Sequence, residues 1–355
     1  MKTNNSKDNF RFDIPDTMGF CSSWAENFNP EGNYVLTKRK KVKLKEINAK
    51  SIITNKPQKM FLRDPEGTIK GVSSGAGSSL LKDADNVYKI KRNGYKENGP
   101  TYNPFSYKDN KDGKQTTKIL EYRGILTKNQ ALGEYNALIK LKKEGLCEAY
   151  DPIDVLEYTI PFTDQKAYSV ITKIKSEVRF DELIFGIQGE VIANKVNSGQ
   201  LIFDKKTGMF NVNNLDEKEF SNKTLQDDLY IIGYCLGSYY KEFHRKGWVR
   251  GYPHSWFGNE IINEDGTISF VDLEEATNKK ENLELHQKTE RYQAQSALFA
   301  EFEHLGIRGL AHNAATLAEA FRQGYDESLV PGKIPRSTLN RFKVNTKKAI
   351  KALWG

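Results

Sequence analysis

The 355-residue sequence predicts an α+β protein: an antiparallel, β-rich first part with one helix, followed by a mainly helical second part. Three observations predict it. Short runs of alternating apolar and polar residues, broken by turn residues, fill the stretch from Val42 to Arg92. A single helical pattern, TKNQALGEYNALIKLKKEGL, runs from Thr127 to Leu146, with Leu132, Tyr135, Leu138 and Ile139 on one face. Beyond it, Leu229, Ile232, Leu236, Tyr240 and Phe243 recur at spacings of three and four, and the chain from about Glu284 is again helical.

The elements follow in order. Residues 1–30 are polar and read as a flexible N-terminal arm; residues 31–175 form the β-rich part, with a polar insertion at 93–123; residues 176–355 form the helical part. From Lys59 the chain reads as a strand, a turn at Pro65–Gly67, a second strand into a Gly/Ser loop, and a third strand ending in Lys-Ile-Lys-Arg. The helix after the insertion carries Lys142 and Lys143 in its last turn, where they complement the dipole, and Gly145 as its stop. Strands are expected at Val155–Thr159 and Ala167–Lys173, and a hairpin turning at Glu264-Asp265-Gly266. The join between the two parts falls near residues 174–180.

Composition bounds the function. With 38% apolar and 28% charged residues the chain is ordinary globular material, long enough for two lobes and a cleft. No apolar run approaches the roughly 18 to 20 residues of a membrane span, so a cytoplasmic protein without one is expected. Cys21, Cys147 and Cys235 are scattered and odd in number, without CxxC or zinc-ligand spacing, so neither a disulfide framework nor a structural metal is indicated and reduced, mostly buried thiols are expected. The net charge of +8 is densest in TKRKKVKLK, Thr37–Lys45, where Val42 and Leu44 alternate with lysines. This reads as a solvated edge strand whose lysines discourage sheet-to-sheet pairing, in preference to an anion-binding stripe. Neither an RNA-binding aromatic signature nor zinc-finger spacing is present, and nucleic acid is not the expected partner.

Four features stand in an order that carries chemistry. GVSSGAGSS, Gly71–Ser79, offers Gly71, Gly75, Gly77 and Ser78, small residues whose backbone N–H groups can approach phosphates closely. Lys89 lies twelve residues beyond Gly77 on the next strand, and Glu134 in the following helix can pair with it. Asn259 opens a strand, and Asp272 follows thirteen residues later at the end of its hairpin partner, where an amide oxygen and a carboxylate can share a hard cation. Each has an ordinary explanation alone: a common turn, a solvated lysine, a surface glutamate, a strand-end cap. The ordered set is what counts.

That set resembles the protein-kinase-like superfamily, closest in pattern to its aminoglycoside phosphotransferase and lipopolysaccharide-core kinase branch, over roughly residues 60–325. The resemblance implies a bilobal fold and an ATP- and Mg2+-dependent phosphotransferase. It places the Gly71–Ser79 loop and Lys89 on the phosphates, Glu134 on Lys89, and Asn259, Asp272 and Glu274 on the metal. The acceptor it implies bears a hydroxyl, a small molecule or glycan first and a protein second. The short stretch after Asp272, LEEATNKKENLELHQ, is similar to that of the small-molecule kinases. FHRKGWVRG, Phe243–Gly251, resembles the approach to the catalytic loop, with His244 as a structural histidine.

The chain departs from the pattern at the catalytic aspartate. Counting back five from Asn259 gives His254; matching Arg250-Gly251 to the family's His-Gly gives Tyr252. Neither is a carboxylate. His254 can act as a base near neutral pH, and Arg250, with Lys96, Lys108 and Lys114 of the insertion, can face an anionic acceptor. Two alternatives stay open: a nucleotide-regulated pseudokinase scaffold, and a nucleotidyl (AMP) transferase on the same fold.

Overall fold

The computed structural model describes residues 41–74, 77–93, 106–109, 116–119, 125–160, 165–180, 183, 198–199, 201–204, 209–212, 222–250, 259–278, 281–303 and 310–341. The N-terminal arm, Gly75, Tyr252, His254, Lys96, Lys114 and most of the insertion lie outside the described residues.

The first part is built from β1 (Lys41–Ser51), β2 (Pro57–Arg63), β3 (Ile69–Ser73), β4 (Ser79–Asp83), β5 (Asn86–Lys91), β6 (Ser106–Asp109), β7 (Thr116–Ile119), α1 (Lys128–Lys143), β8 (Tyr150–Thr159) and β9 (Lys166–Ile174). Seven of these strands pair antiparallel in the order β2-β1-β3-β4-β5-β9-β8, and β1 also meets β8, so β1-β3-β4-β5-β9-β8 forms a closed ring of six. Met60, Leu62, Ile90, Leu156, Tyr158, Ile160 and Ala167 form one apolar cluster in this part. The expected third strand is in fact two, β4 and β5, because Ala84 takes a left-handed φ of 51° and turns the chain between them.

β1 is not an edge strand. β2 lies along one side of it, and β3 and β8 along the other. Lysine protection of an edge is therefore not the explanation for Lys41, Lys43 and Lys45. The chain crosses over β1 between β2 and β3, and a Cβ on Gly67 would overlap the Leu44 backbone, so only glycine fits that crossing.

α1 begins with a capping box: the Thr127 side chain accepts from the Gln130 backbone, and the Gln130 side chain accepts from the Thr127 N–H. Its basic last turn, Lys140, Lys142 and Lys143, suits the dipole, as expected. The helix buries Ala131, Glu134, Ala137, Leu138 and Leu141.

The second part holds β10 (Val178–Arg179), β11 (Leu201–Asp204), β12 (Met209–Val212), α2 (Lys223–Arg245), β13 (Glu260–Ile262), β14 (Ile268–Phe270), α3 (Leu283–Glu303), α4 (Leu310–Glu327) and α5 (Arg336–Arg341). β10 continues from β9 through Ser176 and Glu177 and pairs with β13, which places the connector against the β13–β14 hairpin. Ser269 of β14 accepts the N–H groups of Glu148 and Ala149 at 2.8 and 3.0 Å, joining the same hairpin to the start of β8. Gly266, at φ 84°, makes the hairpin turn. Tyr240 and Phe243 of α2 pack on Phe270, and Tyr240 also on Phe321, with ring centroids 4.8 to 5.4 Å apart.

α2 and α4 approach backbone to backbone. A Cβ on Gly237 would overlap the Phe321 carbonyl, and one on Gly324 the Tyr234 carbonyl. Neither neighbour is a flexible side-chain end, so Gly237→Ala forces the helices apart. Its expected cost is about 2 to 3 kcal/mol of unfolding free energy in a denaturant titration. Among the described residues, no helix is long and apolar enough to cross a membrane.

Candidate functional site

The site gathers where the end of β5, the buried face of α1 and the chain leaving β14 meet. Alternation puts Lys89 and Lys91 on the same face of β5, with Ile90 on the other. It is Lys91, not Lys89, that meets Glu134, at 2.5 Å. Two residues of strand separate the lysines by nearly 7 Å, enough to decide which one reaches α1. Lys91 also pairs with Asp272 and, at 2.7 Å, with Glu274. Arg92, in a left-handed conformation at φ 57°, pairs with Glu274 at 3.0 Å.

Asn259 and Asp272 come together as the sequence predicts, the Asn259 amide N–H donating to Asp272 Oδ2 at 3.2 Å. The Val271 N–H donates to the Asn259 carbonyl at 3.0 Å. Asp272 itself holds a left-handed φ of 61°, a region that Asp and Asn enter more readily than other residues with a side chain.

Charge and burial set the state of each group. Burial opposes the charge on Lys91, but Asp272, Glu134 and Glu274 outweigh it and hold the ammonium well above the usual lysine range. Burial likewise opposes the Asp272 carboxylate, but Lys91, Arg92 and Lys89 hold it well below the usual range. Burial pushes Glu134 up to about 7, with Asp272 and Glu274 adding to the shift against the pull of Lys91. Glu274 is lowered: burial works against its charge, and Lys91 and Arg92 for it.

Three carboxylates face two cations here, and oxygen atoms of Glu134, Asp272 and Glu274 lie within 4.8 Å of one another. The Asp272 side chain is 29% exposed, against 4% for Glu134 and 6% for Glu274, so Asp272 is the carboxylate open to solvent. Hard oxygen donors at this spacing could hold a divalent cation such as Mg2+, and Asn259 lies beside them through its bond to Asp272.

Lys89 belongs to a second, adjacent network. Its ammonium lies 3.0 Å from the Tyr150 hydroxyl and 3.8 Å from Glu177. Burial lowers it to about 8, against the pull of Glu177. Between pH about 8 and its ordinary 10.5 the unfolded chain therefore holds a proton that the folded chain has released, and stability rises with pH through that window. Urea unfolding at stepped pH should show wild type gaining on Lys89→Met by on the order of 3 kcal/mol across it.

The Gly/Ser loop is tied down within the first part. Gly77 turns at φ 88°, and the Ser74 N–H donates to the Ser78 carbonyl at 2.8 Å. Arg63, on β2, donates to Ser79 Oγ at 2.7 Å, to Ser73 Oγ at 3.0 Å and to the Ser78 carbonyl. The Arg92 N–H donates to Ser78 Oγ at 3.2 Å. Gly71 lies inside β3 against Leu44, so its small size serves packing and not a phosphate approach.

Arg250 does not face an acceptor. It is 1% exposed, its guanidinium paired with Glu260 and 3.2 Å from the Tyr240 hydroxyl, and its backbone N–H donates to Glu290 at 2.9 Å. The acid at position 260 draws it into the core beneath the hairpin. His244, expected to be structural, is buried, with Nδ1 2.6 Å from the Tyr325 hydroxyl. Sequence reasoning missed Lys91, Arg92, Tyr150 and Glu177. Period-two alternation marks Lys91 as equivalent to Lys89, but no local pattern singles out the other three.

No family model matches the chain, and no curated protein does. Among solved structures, one of WaaP in complex with acyl carrier protein is 12% identical, covering 78% of this chain and 85% of that one, with a TM-score of 0.34. Another, of a glucosamine kinase, is 10% identical, covering 87% of this chain and 86% of that one, with a TM-score of 0.33. Both scores are low.

Proposed function

We propose that this chain is a kinase-like phosphotransferase of bilobal, protein-kinase-like design, using ATP and Mg2+ to modify a hydroxyl-bearing acceptor. A small molecule or glycan is the first acceptor class and a protein the second. The observation that carries the reading is the convergence of Lys91 from β5, Glu134 from α1 and Asp272 from the end of β14, with Asn259 on Asp272. A lysine fixed between a helix glutamate and an aspartate placed to take a metal is the arrangement that protein-kinase-type phosphoryl transfer uses.

In this reading Glu134 holds the Lys91 ammonium in place beside the phosphates, and the backbone of the loop ending at Gly77 and Ser78 covers them. Asp272, Asn259 and Glu274 would hold the metal, which would supply charge to neutralise the phosphates. The low affinity of the Asp272 carboxylate for protons keeps it ionised at neutral pH. Arg250 supports the catalytic segment from below through Glu260, Tyr240 and Glu290.

No carboxylate occurs between Arg250 and Gly258, which also favours a second reading, transfer of the nucleotidyl group. A loose transition state depends more on positioning and charge than on a base, so phosphoryl transfer remains the first choice, with His254 or Tyr252 orienting the acceptor. The test is incubation of the protein with magnesium and ATP labelled at the γ or the α phosphate, followed by analysis of acceptor fractions. Transfer of the γ label supports the phosphotransferase; transfer of the α label alone establishes nucleotidyl transfer. Nucleotide binding without transfer of either would leave the scaffold.

A further inference from the structure

Glu177 sits in the connector between β9 and β10, 3% exposed, where four other residues converge on its carboxylate. Ser74, from the Gly/Ser loop and 103 positions away in sequence, donates its hydroxyl to Oε1 at 2.5 Å. The Tyr150 hydroxyl donates to Oε2. Lys89 and Arg179 supply positive charge at 3.8 and 3.5 Å from Oε1. Loop, β5, the start of β8 and the connector are thus fastened at one buried carboxylate.

Two anchors hold the loop, and both reach its first shoulder. Ser73, Ser78 and Ser79 are tied to Arg63 of β2, a partner that moves with the strands themselves. Ser74 is tied across to the connector, which runs on into β10 and its pairing with the β13–β14 hairpin, next to Asn259 and Asp272. The Ser74 hydroxyl is thus the bond that ties the loop to the connector, beside the bonds that tie it to β2. Losing a buried hydrogen bond costs more than losing an exposed one, and breaking this one frees Ser74 from the connector while Ser73 stays on Arg63.

From this geometry we infer that Glu177 is a positioning residue: through Ser74 it latches the Gly/Ser loop to the connector, fixing how closely the loop covers a bound nucleotide. The inference rests on the nucleotide-binding reading above for its function, but not for its structural half. The latch acts on the rate at which the loop opens, and so on how fast a nucleotide leaves.

The test uses full-length Ser74→Ala, which deletes one hydroxyl, and Glu177→Gln, which keeps an acceptor oxygen without the charge. Hydrogen exchange at the position-74 amide, which donates to the Ser78 carbonyl, should accelerate about tenfold in Ser74→Ala while core amides of β9 keep their rates. Dissociation of a fluorescent ATP analogue with magnesium, followed by stopped flow, should accelerate by a similar factor in both variants. Unchanged exchange at position 74 would overturn the latch. Faster exchange with wild-type dissociation in Ser74→Ala would overturn its role in holding the nucleotide. If wild type binds no nucleotide, the phosphotransferase reading fails and the proposed role of the latch fails with it, while exchange still decides whether the latch exists. Should Glu177→Gln not fold, Ser74→Ala alone carries both readouts.

Discussion

Lys91→Met is expected to lose about 3 to 5 kcal/mol of unfolding free energy, the largest effect of any single substitution in the site. Lys91 is 5% exposed and its ammonium is shared by Glu134, Asp272 and Glu274, so its removal leaves three carboxylates facing one another, with Arg92 on Glu274 and the more distant Lys89 to balance them. The measurement is equilibrium unfolding in urea at neutral pH, where Asp272 is ionised. Lowering the pH toward the carboxylate range should recover part of the loss in the variant, because protonation relieves the repulsion that Lys91 otherwise cancels. A loss no larger than that of an exposed lysine would mean the cluster does not depend on Lys91, and the assignment of the phosphate-contacting lysine would fall with it.

The second large effect is on ligand binding. In wild type, magnesium and ATP at a hundredfold excess over Kd should stabilise the protein by about 2.7 kcal/mol, seen as a raised melting temperature that requires the metal. Asp272→Asn should abolish that shift. Asparagine tolerates the left-handed backbone that Asp272 adopts, so the fold is retained, while the carboxylate most open to solvent is gone. A full metal-dependent shift in Asp272→Asn would remove Asp272 from the metal site.

Much of this arrangement was legible in the sequence because it rests on local pattern. The basic last turn and Gly145 stop of α1, the Asp-Gly turn before β14 and the apolar stripe of α2 each specify their element within a few residues. The pairing of Asn259 with Asp272 was legible for the same reason: a hairpin brings its own ends together. The choice between Lys89 and Lys91 was not, because both satisfy the same alternation and only the docking of α1 separates them. Glu177 was hidden more deeply. Its partners come from positions 74, 89, 150 and 179, and no spacing along the chain announces a convergence that the fold alone creates. The lysines of β1 suggested an edge because charge on a strand usually marks one; here the next strand pairs there regardless.

The ring of strands also constrains how the chain can be assembled. Lys50 pairs with Glu157 and Ser51 with Leu156, contacts separated by roughly a hundred residues that include the insertion and all of α1. Closing so long a loop has an entropic cost before any pairing repays it, so β1 and β2 can form their hairpin early but must wait for β8 to complete the ring. During synthesis from the N-terminus, the far end of β1 therefore stays unsealed until α1 and β8 have emerged. The interval in which the nascent chain is open to mispairing is set by the length of the segment between them.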